Sequence, residues 1–128
     1  MGSSTDGKGR HERAQIPDGG EMARFARHEM LRRTGELELL LAAERRRGGA
    51  ALVAKAERRL RAALRIARRQ KAKSLELRAA TSLARLLARR GKTGAARRLL
   101  SATHAWFTEG FASRDLREAT ELLDELGA

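Results

Sequence analysis

The stretch LARLLARRGKTGAARRLL, from Leu83 to Leu100, has an apolar pattern on each side of the turn residue Gly91. Leucines and alanines recur every three or four residues before this glycine and again after it, which is the spacing of an amphipathic helix. A glycine at such a boundary readily takes the left-handed backbone conformation that ends a helix. The stretch therefore predicts two helices joined by a tight turn, which is an antiparallel helical hairpin.

The same turn contains Gly-Lys-Thr, which is also the end of a phosphate-binding loop. That loop needs a second glycine five residues before Gly91 and a strand in front of it. The required position holds Leu86, in the middle of a leucine-rich helical pattern. We therefore interpret Gly-Lys-Thr as part of a turn between helices and expect no nucleotide or other cofactor.

Helical patterns extend through the chain on both sides of this hairpin. Leu and Ala are abundant, Pro occurs once and aromatic residues make up only 3% of the chain, a composition that favours helices over strands. Residues 1–17 are rich in Gly, Ser and charged side chains, so we expect a disordered tail followed by a helical domain over 18–128. The spacing predicts five helices, at about residues 19–43, 50–70, 74–90, 94–108 and 115–126.

The helix faces and caps follow from the same spacing. In the first helix, the apolar stripe predicts burial of Met30, Thr34, Leu37 and Leu41, with His28 near the polar edge. In the fourth helix, Trp106 and Phe107 are predicted to face inward; with Phe111 they form an aromatic cluster that is a core seam or, less often, a binding hot spot. Further predictions are N-caps at Ser74 and Thr93 and a capping box from Asp115 to Glu118.

A small–large–small pattern at positions 56, 60 and 63 recurs forty residues later at 96, 100 and 103. It resembles the second helix of a tetratricopeptide hairpin, so the predicted fold is all-α, a short α-solenoid of tetratricopeptide-like antiparallel hairpins. Glu38 departs from the pattern, since a large apolar residue is usual there, and the period exceeds the roughly 34 residues of that repeat. The predicted structural positions are Gly35, Ala56, Leu60, Ala63, Leu83, Ala84, Leu87, Gly91, Ala96, Leu100 and Trp106.

Residues 71–126 resemble the C-terminal tail of a family of large bacterial signalling proteins. These combine a class III adenylate or guanylate cyclase domain, or another signalling domain, with an AAA-type ATPase and tetratricopeptide-like repeats. The segments LELRAATSLARL, WFTEGF and DL-x-EA-x-x-LLDEL establish the likeness, and the stretch from about Met30 to Gln70 is similar to the preceding repeat. The resemblance includes no catalytic domain, so it implies a detached helical tail without cyclase or ATPase activity.

The net charge is +12, and residues 42–98 hold 19 basic and only 3 acidic side chains. Such a segment either attracts polyanions or consists of solvated arginine-rich helix faces. The chain has no cysteine, which excludes disulfides and thiolate ligands. It also has no apolar run of the roughly 18 residues that a membrane span requires, so we expect a cytoplasmic protein.

No group of side chains forms a catalytic or metal-binding pattern, since the histidines are isolated and the acidic residues near the C-terminus match no calcium loop. We therefore expect a non-catalytic protein-interaction or scaffold module. Its binding surface would be the inner wall made by the first helix of each hairpin, where Arg78, Arg85 and Arg89 suit an acidic peptide or protein face. The alternative is a basic protein that binds nucleic acid or another polyanion. We also expect an apolar flank on the N-terminal hairpin and self-association through it.

Overall fold

The computed structural model describes residues 19–45, 48–109 and 113–127. Over these ranges the chain forms five α-helices and no strand, which confirms the all-α prediction. The predicted tail at 1–17 lies outside the described residues. The helices are α1 (Gly19–Glu44), α2 (Gly49–Arg69), α3 (Lys73–Arg89), α4 (Thr93–His104) and α5 (Arg114–Gly127).

Each helix packs against the next one along the chain, and α3 also contacts both α1 and α5. The three odd-numbered helices therefore form one continuous layer. On its other side, α2 packs against α1 and α3, and α4 packs against α3 and α5. No helix in the part of the chain that the structure describes is both long and apolar enough to cross a lipid bilayer.

The core lies between these two layers, and most of the predicted small and large positions contribute to it. Gly35 of α1 permits an unusually close approach of α2, because a Cβ at this position would lie 3.1 Å from Leu60 Cγ and 3.2 Å from the Ala56 carbonyl oxygen. The predicted repeat positions that are buried, at 0–4% exposure, are Ala56, Leu60, Ala63, Leu83, Ala84, Leu87, Ala96 and Leu100.

Gly91 ends α3 with a φ of 80°, in the left-handed region. The Lys92 N–H donates to the Leu87 carbonyl at 2.8 Å, which closes the helix end in a Schellman motif. Leu86 is fully buried within α3, so Gly-Lys-Thr belongs to a turn between two helices, as predicted. The end of α2 has the same geometry with Lys71, at φ 55°, in place of the glycine.

The buried face predicted for α1 is wrong. Met30, Leu37 and Leu41 are 61%, 59% and 51% exposed, whereas the opposite side of the helix packs against α2 and α3. The residues buried there are His28, Gly35, Glu38, Leu39 and Ala42. The large apolar residues of α1 therefore lie mainly on its exposed side, opposite the face that packs against α2 and α3.

Partner groups from neighbouring helices explain why polar residues occupy the buried side of α1. Glu38 accepts a hydrogen bond from Arg59 of α2 at 2.9 Å, so its carboxylate is paired at a position where the predicted repeat would have an apolar residue. His28, predicted at the polar edge, is completely buried and contacts the Leu75 carbonyl at 3.1 Å. Buried polar groups with such partners are tolerated, but the hydrophobic pattern of one helix does not reveal them.

Trp106 does not face inward, since 58% of it is exposed. The physical reason is that α4 ends at His104 rather than near residue 108, so helical spacing no longer applies at Trp106. The indole ring instead meets the ring of Phe107 edge-on, with centroids 5.3 Å apart, and lies 5.3 Å from Lys73 Nζ. Phe107 is half-buried against the core, and Phe111 lies outside the described residues.

The predicted side-chain caps also differ from those observed. Ser74 and Thr93 lie inside the first turns of α3 and α4, because the left-handed turn residue leads directly into the next helix and the residue after it becomes the N-cap. At α5 the Leu116 N–H bonds to Ser113 Oγ at 3.3 Å, so Ser113 caps the helix and Asp115 lies in its first turn.

Candidate functional site

One surface of the odd-numbered layer contains a groove of about 840 Å³, to which α1, α3 and α5 all contribute. Its charges nearly balance, since five arginines face four carboxylates. The arginines are Arg32, Arg33, Arg78, Arg85 and Arg114, and the acidic residues are Glu29, Glu36, Asp115 and Glu118. Two hydroxyl residues and two leucines complete the lining, namely Thr81, Ser82, Leu37 and Leu40.

Arg78 lies at the centre of the groove and joins its three helices. Its Nε donates to Asp115 Oδ2 of α5 at 2.9 Å, and its Nη1 donates to Glu29 Oε1 of α1 at 3.4 Å. The side chain is about one-third exposed. Because Arg78 belongs to α3, these two bonds link the outer helices of the layer through one guanidinium group.

The α1 wall is held by side chains one turn apart. Arg32 bonds to Glu29 at 3.0 Å and to Glu36 at 3.2 Å, and Ser82 of α3 donates to Glu36 Oε2 at 2.5 Å. Burial alone would raise the pKa of Glu29, but the hydrogen bonds and charges of Arg32, His28 and Arg78 outweigh it and hold the pKa below its ordinary value. Glu29 therefore stays ionised, which keeps its cationic neighbours in place.

The α5 wall is more exposed. Arg114 donates to Glu118 at 2.9 Å, and Arg85 of α3 lies 3.6 Å from the same carboxylate. The hydrogen bond from Arg114 is the largest cause that lowers the pKa of Glu118. Ion pairs in such exposed positions contribute little net stability, so the α5 wall can exchange its partners more easily than the α1 wall.

His28 supports the groove from behind. Its Nε2 lies 3.1 Å from the Leu75 carbonyl oxygen and its Nδ1 lies 2.9 Å from Glu29 Oε2. Burial lowers the pKa of His28 although the Glu29 carboxylate favours the charged ring. Both ring nitrogens therefore face acceptors, and a neutral ring donates to only one of them at a time: a proton on Nδ1 bonds to Glu29, whereas a proton on Nε2 bonds to Leu75 and links α1 to the start of α3.

The sequence predicted three exposed arginines on the inner wall, and the structure places only two of them in the groove. Arg78 and Arg85 line it, but both are held by carboxylates rather than free. Arg89 lies one turn beyond Arg85 on the same side of α3, is exposed and does not line the groove.

Sequence reasoning missed the carboxylates that hold these arginines. Within α1, the three- and four-residue spacing of Glu29, Arg32 and Glu36 was a usable signal for local pairing. The bonds from Arg78 to Glu29 and Asp115 join residues 49 and 37 positions apart, and no local spacing indicates them.

A second basic surface lies on the side of α2 that faces away from the core. Lys55, Arg58, Arg65 and Arg69 are exposed there and form no ion pair with any other residue that the structure describes. The C-terminal end of α2 also borders a recess of about 580 Å³ beneath the exposed indole of Trp106. The recess is lined by Arg68, Lys71, Lys73, Glu76 and Trp106.

Within the described ranges, no three His, Cys, Asp or Glu side chains are grouped closely enough to hold a metal ion. His104 contacts Thr120 Oγ1 at 3.0 Å at the α4–α5 contact. Comparisons of the chain with protein-family models, with curated proteins and with solved structures find no match.

Proposed function

We propose that this protein is a non-catalytic interaction module whose groove binds an acidic segment of another protein. The observation that supports this proposal best is the row of guanidinium groups in the groove between α1, α3 and α5. Guanidinium groups match carboxylates in geometry and bind them through paired hydrogen bonds. A groove of about 840 Å³ can accommodate several side chains of a peptide.

On this proposal, carboxylates of the partner take over positions now held by the protein's own acidic side chains. Arg85 is the first candidate, because its pair with Glu118 is long, at 3.6 Å, and exposed. Arg78 would follow by exchanging Asp115 for a partner carboxylate while it keeps Glu29. The replaced carboxylates would turn to solvent, so the exchange costs little at the α5 wall.

The α1 edge of the groove adds an apolar requirement. Leu37 and Leu40 line this edge and are 59% and 62% exposed. A partner segment that combines acidic and apolar residues would cover these leucines and reach the arginines at the same time. We therefore expect such segments to bind more tightly than polyglutamate of equal charge.

A fluorescein-labelled peptide of mixed glutamate and leucine is a suitable probe, with fluorescence anisotropy as the measurement. Arg85→Glu should weaken binding about tenfold, which corresponds to one charge-assisted hydrogen bond. Arg89→Glu is the matched control, because it makes the same charge change on the same side of α3 outside the groove. Equal losses in both variants would mean that only the overall charge attracts the peptide, and would contradict a groove site.

The likeness of residues 71–126 to tails of bacterial cyclase and ATPase signalling proteins fits this proposal. Tetratricopeptide-like hairpins commonly present a curved surface to a protein partner. The order of helix contacts, in which α3 touches both α1 and α5, is compatible with such stacked hairpins. We therefore propose that the acidic segment belongs to a protein of a signalling assembly.

Binding of nucleic acid or another polyanion is the second candidate, and the unpaired basic surface of α2 favours it. Arg58, Arg65 and Arg69 are available to phosphates, and the exposed indole of Trp106 offers a stacking surface near one end of the helix. This arrangement of a basic track and an aromatic ring suits single-stranded nucleic acid.

Anisotropy of labelled single-stranded DNA and RNA at two salt concentrations tests the second candidate, with heparin as competitor. Replacing Arg58, Arg65 and Arg69 by glutamine should make the salt dependence shallower, reducing the magnitude of the negative slope of log affinity against log salt by about 2. Trp106→Ala should weaken binding by about 1–3 kcal/mol if a base stacks on it. If neither nucleic acid binds near physiological salt, the second candidate is excluded and the peptide experiment stands alone.

A further inference from the structure

The exposed apolar side of α1 packs against no other helix among the described residues. Large hydrophobic side chains that are exposed in the described ranges belong to α1 with one exception, Trp106. Scattered apolar residues on a surface are ordinary, but a contiguous group on one helix marks an interaction surface. The α1 residues are Met22, Phe25, Met30, Leu37, Leu40 and Leu41, at 47–62% exposure.

The C-terminal half of this surface has a symmetric arrangement of charge. Leu37, Leu40 and Leu41 lie on the side of α1 opposite its buried face, at helical spacing. Arg33 lies one turn before Leu37, and Glu44 lies one turn after Leu40, on the same side of the helix. Both charged residues are exposed, and neither forms an ion pair with another described residue.

We propose that two copies of this protein pack antiparallel through this surface, with a two-fold axis that passes between positions 38 and 39 of α1. Leu37 and Leu40 are equally distant from that point along the helix, and so are Arg33 and Glu44. Two-fold pairing therefore places Leu37 opposite Leu40 of the second copy, and Arg33 opposite Glu44 of the second copy. An isologous interface has this self-complementary form.

Charge also argues against a second register, in which the two copies would overlap along the whole apolar side of α1. The two-fold axis would then lie near Arg33, and the two Arg33 guanidinium groups would meet at the axis. Like charges facing each other across an interface are strongly unfavourable. The chosen register overlaps about three turns of α1 in each copy, so the interface is small and the dimer should be reversible.

The groove and the dimer surface both use Leu37, Leu40 and Arg33, so a bound peptide and a second copy compete for these residues, but each can be tested through residues that the other does not use. Leu37, Leu40 and Arg33 line the groove, whereas Leu41 and Glu44 do not. Arg85→Glu should therefore reduce peptide binding without changing the mass of the protein in solution. Leu41→Glu should change the mass, because it replaces an apolar side chain of the dimer surface with a charge that lies opposite Glu36 of the second copy.

Sedimentation velocity of the full chain, over a wide range of concentration and near physiological ionic strength, is the experiment. Each copy has a net charge of +12, so two copies repel each other at low salt. Near physiological ionic strength this repulsion is largely screened. We expect a concentration-dependent shift from 14.1 kDa to twice that mass. Leu41→Glu should abolish the shift, while Phe25→Gln, which changes an exposed apolar residue outside the overlap, should leave it intact.

A charge exchange tests the register. Arg33→Glu and Glu44→Arg should each raise the dissociation constant at least about tenfold, because each puts like charges opposite one another twice per dimer. The double variant restores opposite charges and should return the constant to within about threefold of the original. A protein that stays at 14.1 kDa, a dimer that survives Leu41→Glu, or a double variant that stays weak would each overturn the proposal.

Discussion

Replacing Gly35 with alanine should destabilise the protein, although alanine is the better helix former. In an open helix position the change would stabilise by about 1 kcal/mol. At Gly35 the new Cβ would lie 3.1 Å from Leu60 Cγ and 3.2 Å from the Ala56 carbonyl oxygen. The carbonyl belongs to the backbone of α2, and Leu60 is completely buried, so neither can move aside without displacing the helix.

The expected size follows from these two opposing effects. Overpacking a close contact typically costs 1–3 kcal/mol, and the upper part of that range applies because backbone is involved. After the gain in helix propensity, a net loss of about 1–2 kcal/mol in the free energy of unfolding remains. Gly94→Ala is the matched control, because a Cβ there meets only the flexible end of Arg98, at 3.5 Å.

Urea unfolding followed by circular dichroism measures both variants. Gly35→Ala should lower the unfolding midpoint, and Gly94→Ala should leave it unchanged or raise it. A second check combines Gly35→Ala with Leu60→Ala, where the added methyl group should partly fill the space left by the leucine. If Gly35→Ala stabilises as much as Gly94→Ala, or if the combined effects are simply additive, α1 and α2 do not approach as closely as the contact distances require.

Four further substitutions test three separate features. Lys71→Gly should raise the free energy of unfolding by about 1 kcal/mol, because Lys71 holds a left-handed φ of 55° that glycine adopts without strain; an unchanged melting temperature would contradict this. His28→Gln tests a pH dependence of stability. In the original protein, burial lowers the pKa of His28 below 6.5, so the stability contributed by the neutral ring is fully present above pH 6.5 and is lost as the pH falls through the folded-state pKa. The original protein should therefore lose more stability than the variant on mild acidification, and parallel pH profiles would refute the assignment. Trp106→Ala should change stability by less than about 1 kcal/mol because the side chain is exposed, whereas Phe107→Ala should cost about 2 kcal/mol; equal losses in thermal melts would place the indole in the core.

Helix α1 shows where pattern reading succeeds and where it is misled. The spacing of Met30, Leu37 and Leu41 correctly indicated a helix, because any apolar stripe at that period does so. The same spacing indicated the wrong buried side, because the largest apolar side chains of α1 lie on its exposed side. The buried side contains Gly35 and Glu38, whose suitability depends on a close approach to α2 and on Arg59.

The position of the candidate groove could be predicted from the sequence, but the carboxylates that pair with its arginines could not. Arg78 and Arg85 could be assigned to one side of α3 from their seven-residue separation, and they do line the groove. Their partners could not be assigned, since Glu29, Asp115 and Glu118 come from two other helices. The groove is therefore a nearly neutral network rather than the free basic surface that the composition suggested.

The sequence by itself determined the five helices and the turn at Gly91, because helix-period spacing and a left-handed glycine act through residues only a few positions apart. It also determined the small and large positions at which α2 and α4 enter the core. Only the tertiary structure decided which side of α1 is buried and which carboxylates hold Arg78. Those outcomes depend on groups tens of residues apart that meet only after the helices have packed, so no local pattern contains them.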